Sequence, residues 1–351
     1  METYICRKGD ELSRIAREKG LSEEKLRRLN GLYGGEKLCE GLSLWLPSRG
    51  KAKKTELMAC ADCDSDIPLS FAVSPPAALA SPAGIRLPDF PSVADTPRLL
   101  HLCSSDESGF PAPKAMHALL SDAENLSSAI RDAAQAYDGV FLSLSYIYSF
   151  DRQALAHFLS LLSEKLHRAG LYFVCALAPK ESGTELSPAC AALDYGLCAE
   201  LCDRIVLLCY DYAHSRSAPG APAPLDAVSR CVDYALKLAP AEKLLLALSN
   251  RGYRWQLPWK QGDPAEPVSN RHAQALALSA GAKISYDRSG RSPFFCHEDS
   301  LGRRFICCCE DARSIAEKLQ LVSSRALAGV YATSLRPGAE FLSCFEAERF
   351  N

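Results

Sequence analysis

No stretch of this sequence reaches the roughly 20 apolar residues that a bilayer-spanning helix needs, so no membrane span and no membrane partner is expected. No leader is expected either. Met1-Glu2-Thr3-Tyr4 runs straight into a structured pattern, without the basic start and apolar stretch of a secretory signal. The expectation is synthesis in the cytoplasm, with any export needing another route. Strong charge is also missing. The formal net charge is −2, too small to create the field that draws a protein to nucleic acid. Arg7, Lys8, Arg14, Arg17, Lys19, Lys25, Arg27 and Arg28 make the first segment locally basic, which reads first as a solvated face.

Cysteine is what the chain has in excess, sixteen in all. Without a leader, disulfides are not the default. Cys175, Cys202, Cys209 and Cys231 lie in apolar runs and read as small buried hydrophobes. Cys60-Ala61-Asp62-Cys63 has the spacing of half a zinc site, but the triplet Cys307-Cys308-Cys309 does not supply a matching second pair. Neither a metal nor a cofactor is expected. The 48% apolar composition suits a large globular domain plus a small one.

The first segment, residues 1–48, reads strand, helix, helix, strand. Tyr4-Ile5-Cys6 is a short strand and Gly9-Asp10 turns it, with Asp10 expected to cap a helix opening at Glu11. Leu12, Ile15 and Ala16 share one face of that helix. Ser22 opens a second helix, which Asn30-Gly31 stops. Leu42-Ser43-Leu44-Trp45-Leu46 alternates as a strand and Pro47 closes it. Residues 49–55 are short, basic and polar, and read as a linker.

From residue 56 to 351 strand-like and helix-like stretches alternate, the signature of βα units. Strands are expected at Glu56–Ala61, Leu69–Val73, Arg98–Cys103, Gly139–Ser145, Tyr172–Leu177, Arg204–Cys209, Lys243–Leu248 and Gly329–Ala332. Helices are expected at Ala123–Tyr137, Asp151–Ala169, Leu193–Cys202, Asp226–Leu238 and Asp311–Ser323. The α/β class, in the form of an eight-stranded TIM barrel, follows. The proline- and alanine-rich stretch Pro75–Val93 reads as loop. The run from about Asn250 to Glu310 is too long for one connection and reads as a small inserted β element.

Within the fourth expected strand the side chains alternate. Val140, Leu142 and Leu144 suit packing against helices, while Phe141, Ser143 and Ser145 point into the barrel. Ser145 stands near the strand's C-terminal end, where barrel enzymes place their chemistry.

Two resemblances then become specific. Residues Tyr4, Gly9-Asp10-Glu11-Leu12, Ile15-Ala16, Leu26, Leu29-Asn30 and Gly41 to Pro47 resemble a LysM module. That resemblance implies binding of N-acetylglucosamine polymers such as peptidoglycan, through Lys8, Gly9, Asp10, Glu11, Asn30, Gly31 and Leu32. Gly9, Asp10 and Asn30 serve equally as turn and cap residues. The segments Tyr137-Asp138-Gly139-Val140, Ala176 to Lys180, Cys209 to Tyr212, Gly252 to Trp255, Ser292 to Phe295 and Glu310 to Ile315 resemble family 18 glycoside hydrolases, in the branch of spore cortex-lytic glucosaminidases.

The family resemblance implies alternating acids on the fourth strand, ending in a glutamate that protonates the leaving oxygen, with the substrate's own acetamido group as nucleophile. Here Ser145 takes the place of the glutamate, Ser143 that of the assisting acid, and Phe141 fills the first alternating position. Thr333 or a neighbour stands where the family often has a floor tryptophan, and Arg251 where the branch has an aromatic residue. Tyr210 and Asp211 match the family's tyrosine-aspartate, and Tyr253, Trp255 and Glu310 fall where cleft contacts are implied. The expectation is a glycan-binding protein with a barrel that has lost hydrolysis, associated with the spore coat or cortex and with other spore-layer proteins as partners. An active glucosaminidase with a relocated acid, Asp211 or Glu310, stays open beside it.

Overall fold

The computed structural model describes residues 2–47, 55–61, 69–81, 84–90 and 96–334. Cys63, the expected linker up to residue 54 and residues 335–351 lie outside the described residues. The chain opens with β1 (Glu2–Ile5), α1 (Leu12–Lys19), α2 (Glu23–Leu29) and β2 (Ser43–Leu46), the two strands pairing antiparallel. Leu12, Ile15, Ala16, Leu26, Leu44 and Leu46 form the core of this small unit. Ser22 caps α2 by accepting the Lys25 N–H at 3.1 Å. Asp10 does not cap α1, whose N-cap is Glu11 without a side-chain bond. Its carboxylate instead accepts from Tyr4 Oη at 2.9 Å, from the Arg7 N–H at 2.8 Å and from the Arg14 guanidinium. A short side chain that can close its own loop competes with the helix for its oxygens.

Eight strands form the closed barrel: β3 (Glu56–Cys60), β4 (Phe71–Val73), then, past the two-residue β5 (Ala77–Ala78), β6 (Arg98–Cys103), β7 (Gly139–Leu144), β8 (Tyr172–Leu177), β9 (Arg204–Leu207), β10 (Leu244–Leu248) and, last in the chain, β16 (Gly329–Ala332). Neighbours pair in parallel, and β4 meets β6 to close the ring. Parallel strands covered on both faces carry near-continuous apolar runs, as in the fully buried Leu244–Leu248. Side-chain parity divides them into two cores. Val140, Leu142 and Leu144 pack outward with the helices, whereas Phe141 packs inward with Met58, Val73, Leu99, Val174, Val206, Leu245 and Tyr331.

The helices are α3 (Pro113–Leu120), α4 (Ala123–Ala133), α5 (Arg152–Arg168), α6 (Tyr195–Leu201), α7 (Leu225–Ala235), α8 (Asn270–Ser279) and α9 (Ala312–Ser324). In α5, Leu155, Phe158, Leu159, Leu162 and Leu166 recur every three or four residues and bury one stripe on the barrel. Between β10 and α9 an antiparallel sheet is inserted, in the order β12 (Glu266–Ser269), β11 (Arg251–Leu257), β15 (Arg304–Cys308), β14 (Ser292–Glu298), β13 (Ser285–Asp287), with α8 packed beside it.

The small N-terminal unit is docked on this insertion. Its core continues into Val268, Ala273, Ala277, Phe295, Cys307 and Cys309. Gln274 Nε2 donates to the Asn30 carbonyl at 2.9 Å, Ile284 N–H to the Glu40 carbonyl at 2.9 Å, and Lys283 pairs with Glu40 at 2.7 Å. Gly41 sits at φ +89°, and a Cβ there would lie 2.0 Å from the Ile284 carbonyl oxygen. Only glycine permits both the backbone twist and that approach.

Candidate functional site

The mouth of the barrel is built by residues just beyond the strand ends. Phe141 is 1% exposed and plugs the lumen, its ring 4.9 Å from that of Tyr331 and 4.8 Å, edge-on, from that of His101. One step higher, Ser143 Oγ lies 2.8 Å from His101 Nε2 and 3.5 Å from the Leu102 carbonyl. Both contacts are satisfied when Nε2–H donates to Ser143 and the hydroxyl donates to the carbonyl. Burial pushes the His101 pKa down to about 4, so the imidazole is neutral at neutral pH. Its Nδ1 is buried without a hydrogen-bond partner among the described residues. Ser145 is fixed through its backbone: its N–H donates to Ser104 Oγ at 3.0 Å, and that hydroxyl donates to the Ser145 carbonyl at 2.9 Å.

Beyond β9, Tyr210 and Asp211 reach the same end of the barrel. Asp211 adopts φ +58°, a left-handed conformation that aspartate tolerates better than most residues. Its carboxylate accepts from Tyr253 Oη at 2.8 Å and from Arg251 Nη2 at 3.0 Å. Burial raises the Tyr210 pKa to about 12 and also raises that of Tyr253, so both phenols stay protonated and can donate. An open cavity of about 310 Å³ is lined here by Tyr210, Ser249, Asn250, Arg251, Pro267, Val268, Ser269, Thr333 and Ser334. It is bounded by the ends of β9, β10 and β16 and by β12 of the insertion.

Two of the implied cleft residues are elsewhere. Trp255 is fully buried, donates from Nε1 to the Ser217 carbonyl at 2.8 Å, and packs with Tyr253, Ala213, Ala265 and Cys308 inside the insertion. It offers no face to a ligand. Glu310 is 4% exposed and receives Lys318 Nζ at 2.6 Å, an ion pair buried at both ends. It lines a different, smaller cavity of about 50 Å³, shared with Asn30, Trp45, Asn270 and Gln274 under the N-terminal unit. Glu310 is therefore part of the seam between the two units.

In the N-terminal unit, Lys8, Gly9 and Glu11 are exposed and Gly31 is half-buried. Asp10, Asn30 and Leu32 are buried. Asn30 is engaged by its own unit: Nδ2 donates to the Leu26 and Trp45 carbonyls at 2.9 and 3.0 Å, and Oδ1 accepts the Trp45 N–H at 2.6 Å. Gly9 and Gly31 both have positive φ, as their turns require. Sequence reading overlooked His101. The signal was available in its parity with Leu99 on β6, but its pairing with Ser143 needs the strand register. Among the described residues no group of three or more His, Cys, Asp or Glu is disposed to hold a metal ion.

The chemistry of this arrangement is limited. The hydroxyls at Ser143 and Ser145 cannot supply a proton near neutral pH, and among the described residues no carboxylate lines the larger cavity. Comparison with known proteins adds the lineage. Residues 119–336 match the model of the glycosyl hydrolases family 18, and residues 4–47 match the LysM domain. The chain is 35% identical over 192 residues to the cortical fragment-lytic enzyme of Bacillus subtilis, a match covering 54% of this chain and 44% of that one. The chain thus spans about half the length of the curated relatives it matches. The spore cortex-lytic enzyme SleL of Bacillus megaterium superposes with a TM-score of 0.76 at 22% identity, over 99% of this chain and 86% of that one. A chitinase of Chromobacterium violaceum superposes at 0.75 and 21% identity, over 85% and 100%. At those identities the likeness establishes the fold alone.

Proposed function

The chain belongs to the glycosyl hydrolases family 18, with a LysM domain ahead of the barrel, and from that membership we propose that it holds a peptidoglycan-type glycan without cutting it. The observation that carries this reading is the pair Ser143 and Ser145, which stand on the fourth barrel strand and at its end, where the family resemblance implies acids. A missing general acid removes a contribution of roughly 10²–10⁴-fold. The Ser143–His101 pair is neutral and replaces charge with a satisfied hydrogen bond. Phe141 fills the position beneath. The framework around these changes is closed and packed, which supports a barrel retained for binding.

In this reading residues 1–48 form the glycan-binding module, with Lys8, Gly9, Glu11 and Gly31 as its accessible contacts, and residues 56–351 form the barrel. Tyr210 provides a phenol donor at the barrel mouth, while the Tyr253 hydroxyl is spent on Asp211. The names of the relatives support a spore-cortex glycan as the polymer bound. The alternative, hydrolysis by a relocated acid, is supported by one observation, the retention of Asp211 near the cavity. Against it, both Asp211 oxygens are already held by Tyr253 and Arg251, and Glu310 is committed to Lys318. Purified full chain incubated with cortex muropeptides and chitin oligomers between pH 4 and 8 is expected to release no reducing sugar, while sedimenting with insoluble peptidoglycan. A carboxylate-limbed pH–rate profile abolished by Asp211→Asn would replace this reading with the alternative.

A further inference from the structure

Among the described residues, Arg251 is the charged one in the lining of the barrel-mouth cavity. The other described lining residues, Tyr210, Asn250, Ser269 and Thr333 among them, are neutral. The guanidinium is aimed rather than loose. Nη2 donates to Asp211 at 3.0 Å, and its centre lies 5.9 Å from the centroid of the Tyr253 ring. Half of its side-chain surface is open, against 28% for Asp211. Asp211 therefore acts from behind as an anchor, with its two oxygens taken by Tyr253 and Arg251. A guanidinium carries five N–H donors in a planar fork suited to a carboxylate. One bond to Asp211 leaves donors facing the cavity.

We propose that Arg251 makes this cavity a carboxylate-reading subsite, so that the barrel mouth takes an acidic amino-sugar fragment in preference to a neutral N-acetylglucosamine oligomer. The inference rests on the glycan reading above and names the substrate class within it. The surrounding hydroxyls and amides suit the polyhydroxylated remainder of such a ligand. The carboxylate has two chemical sources in peptidoglycan, the lactyl ether on the sugar and the stem peptide.

The test is calorimetric titration of the full chain with three probes. These are chitobiose, the N-acetylglucosamine–N-acetylmuramic acid disaccharide with a free lactyl carboxylate, and the same disaccharide with its lactyl group amidated to a short peptide. A hydrogen-bonded charge pair at a half-open site is expected to favour a carboxylated probe about tenfold over chitobiose, and the preference should shrink as salt rises. The probe that shows it identifies the source. Arg251→Met should erase the preference, and Arg251→Lys should keep part of it. The LysM contribution is common to parent and variants. Equal affinities for all three probes, or a preference that survives Arg251→Met, overturn the subsite and leave the glycan reading standing. No binding of any probe removes both.

Discussion

Placing a carboxylate back at position 143 should convert His101 from a neutral to a charged imidazole near neutral pH. In the parent, Ser143 Oγ sits 2.8 Å from Nε2, and burial holds the His101 pKa at about 4. In Ser143→Asp a carboxylate oxygen occupies nearly the same place, about 4 Å from the centre of the imidazolium charge. With an effective dielectric constant of about 20 the attraction is about 4 kcal/mol, or about three pKa units at 1.36 kcal/mol each. The His101 pKa should therefore rise from about 4 to about 7.

The sign of the stability change follows. In the parent the unfolded chain binds the proton first, at about 6.5. Stability therefore falls as pH drops from 6.5 to 4, by up to about 3 kcal/mol. In the variant the folded pKa exceeds the unfolded one, so the contribution is present below pH 6.5 and lost as pH rises through 7. Imidazole NMR titration reads the pKa, and denaturant unfolding at pH 4.5 and 7.5 reads the slope. Ser143→Asn, similar in shape but uncharged, should leave His101 titrating low. A His101 that stays neutral at pH 5 in Ser143→Asp would refute the lumen geometry argued here.

Three further outcomes are expected. Gly41→Ala meets the Ile284 carbonyl at 2.0 Å in a φ +89° conformation, so it should cost more than about 2 kcal/mol and make residues 2–47 more susceptible to protease. Glu310→Gln leaves Lys318, 2% exposed, as a buried charge without its counter-ion, and should destabilise by about 3–5 kcal/mol; Glu310→Leu with Lys318→Met should recover most of that in thermal melts. Asp311 caps α9 by accepting the Ser314 N–H at 2.8 Å, yet burial raises its pKa to about 6. The folded state thus resists ionising it. Asp311→Asn keeps the cap, so it should stabilise the protein by about 3 kcal/mol at pH 7.5 and by almost nothing at pH 4, where the parent's Asp311 is protonated.

The barrel was legible because its strands are short apolar runs at regular intervals, and the parity of Phe141, Ser143 and Ser145 followed from the period of two alone. The LysM pattern was legible because its glycines and caps stand at fixed places. Other features depend on which of several partners takes a side chain in the folded structure. Asp10 looks like a helix cap locally, but Tyr4 and Arg14 draw its carboxylate into the loop. Trp255 and Glu310 fall at plausible cleft positions in the linear pattern, yet one closes the core of the inserted sheet and the other meets a lysine one helix away. The helices Pro113–Leu120 and Asn270–Ser279 escaped notice, the first short and proline-led, the second inside a run read as β structure.

Under the proposed function, the seam that joins residues 2–47 to the insertion would set how the protein handles a polymer. A module on a free tether searches a sphere and engages whatever lies within reach, so its help is set by tether length. Here a shared apolar core, Gly41 against Ile284 and Gln274 on Asn30 deny that search. Under the proposed glycan-binding function, the LysM surface and the barrel mouth would work instead like the jaws of a caliper. A glycan whose repeat and curvature match their separation would engage both at little added entropic cost, and one that does not match would be left with a single grip. Selectivity between polymers of the same sugar would then come from strand geometry, a property that neither unit could measure alone.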